Sequence, residues 1–202
     1  HIESLSKQLE KGLNQKNLFS LENLFIEKSF NRFEKQYDAF TNKYKEIEWS
    51  INPKTDSKNK KYLDVRITSK RYIGSLEYDL DSRQTIELET NNNKIKDYRI
   101  INAESILKSY NKHLKIKVNA PQKVLTGERY HFDLIIEKPI DNSFITGEMI
   151  ALQHNSSNKQ LSIPFGIKPK GSGGLFKSIT APLQPGSQKI AAIIAHQKGI
   201  FS

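Results

Sequence analysis

Apolar residues recur at helical spacing along the first part of the chain. Ile2, Leu5, Leu9 and Leu13 step by three and four residues, which places them on one side of a short amphipathic helix over residues 2–13. Gly12 and Asn14 mark its end. Ser20 is positioned to cap a second helical region. Within that region Phe30, Phe33, Tyr37, Phe40, Tyr44 and Ile47 form one continuous stripe. An aromatic stripe of this kind predicts a core face packed on a sheet.

From Trp49 onward the period falls from about 3.6 residues to about 2. Trp49 opens a strand that ends at Asn52-Pro53, and the polar, basic stretch 55–61 is a hairpin loop. Leu63, Val65 and Ile67 alternate with Asp64, Arg66 and Thr68 in a half-buried strand. That strand is expected to continue over residues 71–79 with a bulge at Gly74, and to turn at Asp81-Ser82. Ile86 and Leu88 carry the next strand. Asn91, Asn92 and Asn93 tolerate the left-handed backbone of a turn, and lead into a strand over residues 95–101.

The rhythm then changes twice. Ile106, Leu107 and Tyr110 suit about one helical turn, and Leu114, Ile116 and Val118 restart strict alternation before Pro121. We read this as a join between a domain over residues 1–110 and one over residues 111–202. A single α+β domain with an internal loop is the alternative. Beyond the join only strand signals remain. Tyr130, Phe132, Leu134 and Ile136 alternate after Thr126-Gly127; residues 144–146 and 149–152 flank Gly147; Leu161, Ile163 and Phe165 surround Pro164, which suits an edge strand. A flexible loop over residues 168–174 precedes Phe176 and Ile179, and a Pro-Gly corner at residues 181–186 leads into an apolar strand over residues 190–195. The expected fold is an α+β N-terminal domain, helices on a curved antiparallel sheet, followed by an all-β sandwich. The first core should join the aromatic stripe to Leu63, Val65, Ile67, Ile86, Leu88 and Ile100. The second should hold Ile116, Phe132, Leu134, Ile163, Ile179 and Ile193.

Composition narrows the chemistry. Both domains of this 202-residue chain are large enough to bury a core. No run approaches the ~20 apolar residues of a membrane-spanning helix. The absence of cysteine excludes disulfides, thiolate catalysis and zinc–thiolate sites. The net charge is +10 and unevenly divided: residues 1–111 carry 20 Lys and Arg against 17 Asp and Glu, a surplus of +3, and residues 112–202 carry 12 against 5, a surplus of +7. Such a bias favours anionic partners. The lysines are dispersed and lack interleaved aromatics, so nucleic acid is not the expected partner.

Candidate site residues are few. Tyr37, Tyr44 and Trp49 are the candidates for facing a ligand in the first domain. Asp38, Glu48, Asp64 and Asp97 are the acids that a pocket there would draw on, and a buried one would have to carry a raised pKa to act as a general acid or base. His131 and Asp133 share one strand face and suit a hydrogen bond or a shared metal, without an evident third ligand. His113, His154 and His196 lie in no ligand spacing. KPKGSGGLFK at residues 168–177 has the lysines and glycines of an anion nest. A strand follows it rather than the helix of a P-loop, so it reads as a hairpin loop. No Ser-His-Asp, HExxH or Rossmann pattern is present.

The pattern of short helix, aromatic helix and long strands, closed by NNNKIKDYRII, resembles the nuclear transport factor 2-like superfamily, also called cystatin-like or SnoaL-like, over residues 1–110. The resemblance implies a curved sheet wrapped around helices with a pocket between them. Members include isomerases, dehydratases and non-enzymatic binding or dimerisation modules. The isomerases use an acidic base with tyrosine or acidic donors, a motif with no residue-by-residue match here. Over residues 112–202, VLTGERYHFDLII and PLQPGSQKIAAIIA resemble a bacterial immunoglobulin-like or fibronectin type III-like sandwich. Together these imply a non-enzymatic binding or scaffolding protein without a cofactor, whose partner is a protein or a small molecule. They also imply a homodimer through the N-terminal sheet. Export to the periplasm, lumen or surface of a bacterium is the expected localisation, and a first residue other than Met fits a removed leader. An isomerase- or dehydratase-like enzyme using the N-terminal pocket, and an anion or nucleic-acid binder using the basic half, are the competing expectations.

Overall fold

The computed structural model describes residues 2–109, 115–137, 145–153, 161–167, 174–196 and 199–201. The chain divides into two compact units, His1–Leu107 and Lys108–Ser202. The first begins with three helices, α1 (Ile2–Asn14), α2 (Leu18–Glu22) and α3 (Glu27–Lys43). α1 buries Leu5, Leu9 and Leu13, as its spacing requires. Gly12 faces α2 so closely that a Cβ there would lie 2.7 Å from Leu21, which is fully buried. Asn17, not Ser20, caps α2: its Oδ1 accepts the Ser20 amide at 3.0 Å. α3 has no side-chain cap. The segment before it docks on the sheet instead, with the Ile26 amide donating to Ile95 O (3.0 Å) and the Ile95 amide donating to Leu24 O (2.8 Å). α3 stops at Lys43, so the stripe stays helical through Phe40 and Ile47 belongs to the following strand.

Four antiparallel strands follow in sequence order: β1 (Lys45–Thr55), β2 (Lys61–Ile73), β3 (Leu76–Asn91) and β4 (Lys94–Ser109). The turn expected at Asp81-Ser82 is absent, and β3 runs through it with Thr68 opposite Asp81 and Ile67 opposite Ser82. Arg66 holds Asp81 by a two-point ion pair at 3.1 and 2.8 Å, which keeps the Asp in the ladder. The chain reverses instead at Gly74-Ser75, where the bulge was expected. Gly74 has φ +60°, the requirement of a tight hairpin turn with its first central residue left-handed. Asn92 and Asn93, at φ 47° and 64°, make the β3–β4 turn as their tolerance of this conformation predicts. The helical turn expected at Ile106–Tyr110 is likewise corrected: β4 continues to Ser109, and the Ser82 and Ser105 hydroxyls meet at 2.7 Å.

β1 is an edge strand and shows how its edge is closed. It carries Pro53 and an irregularity between Lys45 and Glu48, both unfavourable to a further strand. α1 covers the rest. The Asn14 side-chain amide accepts from Trp49 N and donates to Trp49 O, both at 2.9 Å, and Glu10 accepts the Ile51 amide at 2.6 Å. These are the bonds a neighbouring strand would make.

The core of this unit joins α1–α3 to Ile51, Leu63, Val65, Ile67, Leu88 and Ile95. Ile100, expected in it, is 51% exposed.

The second unit is antiparallel β. β5 (Ile116–Asn119), β6 (Arg129–Ile136) and β9 (Gly174–Thr180) form one sheet with β6 in the middle. β7 (Ile145–Gln153), β8 (Leu161–Ile167), β10 (Gln188–His196) and β11 (Gly199–Phe201) form another run, in the order β11-β10-β7-β8. Pro164 lies on the edge strand β8. Alternation along β6 buries Tyr130, Phe132, Leu134 and Ile136 against Leu175, Ile179, Met149 and Ile194. Ile193, expected in this core, is 44% exposed, and its neighbour Ile194 takes the buried position. The side chain of Ile163 lies outside the described residues.

Candidate functional site

The side chains between the helices and the sheet of the first unit do not close completely. They leave a cavity of about 80 Å³. α1 contributes Leu9 and Leu13, the segment before α3 contributes Phe25, and α3 contributes Phe33. The sheet contributes Trp49 and Ile51, Leu63 and Val65, Gln84, Ile86 and Leu88, and Ile95 and Tyr98. Strand alternation sets this lining. Ile51 lies opposite Val65, Val65 opposite Gln84, and Leu63 opposite Ile86, so one pleat face of three strands points at the helices.

Aromatic rings form one wall. Phe25 stacks on Phe33 with centroids 4.8 Å apart and meets the edge of Tyr98 at 6.3 Å. Trp49 meets Phe40 edge-on at 5.8 Å. The polar groups on the lining residues are the Gln84 amide, the Trp49 indole N–H and the Tyr98 hydroxyl, and the last donates to Gln36 Oε1 at 2.7 Å. Arg32 covers the Tyr98 ring from outside at 4.2 Å and pairs with Asp97 at 2.5 Å. That hydrogen bond from Arg32, together with the Tyr98 amide, holds the Asp97 carboxyl below its ordinary range.

Of the three ligand-facing candidates, Trp49 alone lines the cavity. Tyr37 is buried beside it, stacked on Phe33 at 5.7 Å, and burial raises its phenol pKa. Tyr44 stacks on Phe40 at 4.6 Å, and the Arg71 guanidinium lies over its ring at 5.7 Å. Phe25, Phe33, Gln84 and Tyr98 were not picked out as lining residues. Gln84 was detectable as the polar residue in phase with Ile86 and Leu88, and Phe33 as a member of the stripe. Phe25 lies outside any periodic segment.

No carboxylate lines the cavity. Asp38 and Glu48 are exposed, Asp64 is held by Lys54 and by Thr85 Oγ1, and Asp97 is held by Arg32. In the second unit His131 is exposed, and Asp133 accepts a 3.3 Å bond from Asn119. Among the described residues no cluster of His, Asp and Glu suits a metal. Among them also, no helix is long and apolar enough to cross a membrane. His113, His154 and residues 168–173 lie outside the described residues, as does the side chain of His196.

The fold and site thus define a chain with helices on an antiparallel sheet and an apolar cavity, followed by further antiparallel sheets. Residues 111–202 match a family model described as a domain of unknown function (DUF8623). Neither a curated protein nor a solved structure matches the chain.

Proposed function

We propose that this protein is a non-enzymatic binding module that takes a small, uncharged, apolar group into the cavity of its first unit. The carrying observation is the lining itself: an aromatic and aliphatic wall whose polar groups are the Gln84 amide, the Tyr98 hydroxyl and the Trp49 indole N–H, with no carboxylate, histidine or lysine on it. An isomerase- or dehydratase-like reaction needs a carboxylate there beside a tyrosine. The acids nearest the sheet are instead engaged by Arg32 and Lys54. The cavity, at about 80 Å³, is roughly half the volume of an engineered cavity that takes up benzene, which points to a group of a few non-hydrogen atoms.

On this reading the first unit is a nuclear transport factor 2-like cone and the second an immunoglobulin-like sandwich that spaces or presents it. The export of the protein rests on that second resemblance. Self-association through the first sheet gains little support. The opposite side of that sheet carries cross-strand charge pairs, Lys60–Glu87, Arg99–Glu87 and Arg66–Asp81, rather than apolar area.

Trp49 is the one tryptophan, so its fluorescence reports on the cavity alone. Titration with n-propanol and with n-butanol should give a saturable spectral change and a raised melting temperature. Val65→Phe, which fills the space, should abolish both. A protein whose emission and melting temperature respond to neither probe does not bind in this way.

A further inference from the structure

One end of the β5-β6-β9 sheet carries a tip of exposed aliphatic side chains. The loop over residues 121–127 and the corner over residues 181–187 lie against each other there. The Gly127 amide donates to Pro182 O at 3.1 Å and the Ala181 amide to Glu128 O at 2.8 Å. Leu183 approaches to 3.2 Å of the point where a side chain on Gly127 would begin. Leu125 is fixed by a reciprocal turn in which its amide donates to Glu128 Oε2 (2.9 Å) and its carbonyl accepts the Glu128 amide (3.1 Å). Pro121, Pro182 and Pro185 stiffen both loops. The result is that Leu125 and Leu183 are held outward, 76% and 86% exposed, with Val124 beside Leu125.

The surroundings are cationic. Lys123, Arg129 and Lys189 are exposed at this end, and none forms an ion pair with a described residue. Glu128 is the one acidic residue within 115–132 and 174–196, and its carboxylate is engaged by the Leu125 amide. A second exposed apolar tip among the described residues, Tyr72, Ile73 and Leu76 on the β2–β3 hairpin, lacks this character. Lys70 and Arg71 are balanced there by Glu77 and Asp79, and Lys70 is paired with Glu77 at 2.8 Å.

We infer that the tip of the second unit docks on an anionic lipid bilayer. Leu125 and Leu183 enter the interfacial region, and Lys123, Arg129 and Lys189 face the headgroups. A bilayer suits this tip better than a protein groove does. Stable protein interfaces bury about 1,200–2,000 Å² around aromatic or arginine anchors. Here the apolar area is a few aliphatic side chains on a projecting turn, which a fluid interface accepts without matching its shape.

The test is sedimentation of the full chain with sucrose-loaded vesicles. Vesicles of phosphatidylcholine mixed with phosphatidylglycerol should carry the protein down, and pure phosphatidylcholine should do so far less. Added KCl should weaken the partition. Leu125→Ser with Leu183→Ser should lower it by about tenfold or more, from the lost burial of two leucines. Lys123→Gln with Lys189→Gln should lower it by about tenfold and flatten its salt dependence. Leu76→Ser should leave it unchanged. All these residues are exposed, so circular dichroism and melting should match the wild type. The inference is overturned if anionic vesicles leave the chain in solution, if the leucine pair is silent, or if Leu76→Ser costs as much. A concentration-dependent dimer that the leucine pair disperses, without vesicle binding, overturns it in favour of self-association.

Discussion

Several carboxylates of the first unit are held by cationic side chains or by backbone amides. Asp97 is held by Arg32 and the Tyr98 amide, Glu87 by Lys60 and then Arg99, and Asp56 by the amides of Lys60 and Lys58. Each carboxyl therefore sits below its ordinary value of 3.8 or 4.5. A folded pKa lower than the unfolded one stabilises the fold above the unfolded value, and that stability is lost as pH falls through the folded value. Urea midpoints should therefore hold steady down to about pH 5 and decline below about pH 4. Asp97→Asn should flatten part of that decline. The Arg32–Asp97 pair is exposed, so the change should be small and should shrink further in added salt. A variant that follows the wild-type pH curve point for point would show that the Arg32–Asp97 pair contributes nothing.

Among the elements, the α1–α2 contact makes the sharpest forecast. Gly→Ala inside a helix ordinarily gains up to about 1 kcal/mol. At Gly12 the new methyl would meet the buried Leu21 side chain at 2.7 Å, and overpacking of that kind costs about 1–3 kcal/mol. Gly12→Ala should therefore destabilise, read as a lower urea midpoint with an unchanged slope. Much at this scale was legible in the sequence. Leu5, Leu9 and Leu13 reported their helix, Leu63, Val65 and Ile67 their strand, and Asn92-Asn93 their turn. Asp81-Ser82 misled because its composition is that of a turn, while Arg66 across the ladder keeps Asp81 in the strand. Ile106 and Leu107 misled because so short a run fits helix and strand equally well; pairing with β3 decides between them. The cavity was the least legible. Strand phase showed that Gln84 faces inward, but a void is what side chains fail to fill, and no single position records it.

At the scale of the whole molecule, the two units carry separate apolar clusters, one built around Leu21, Phe30 and Leu63 and the other around Phe132, Leu134 and Ile194. Phe30→Ala removes a buried ring from the first and should cost about 3–5 kcal/mol. Phe40 is only half-buried, so Phe40→Ala should cost less. Calorimetry of Phe30→Ala should show one transition shifted down and a second in place, and residues 108–202 expressed alone should melt cooperatively. A single transition that moves as a whole would mean that the units fold as one. The order of elements in the first unit matters for synthesis as well. An uncovered strand edge invites another chain, and nascent chains on neighbouring ribosomes are crowded. Here Asn14 precedes its partner Trp49 by 35 residues, roughly 2–7 s of translation. The helix that seals the edge therefore emerges from the ribosome before the edge strand does, so chain order itself shields the newborn sheet from its neighbours.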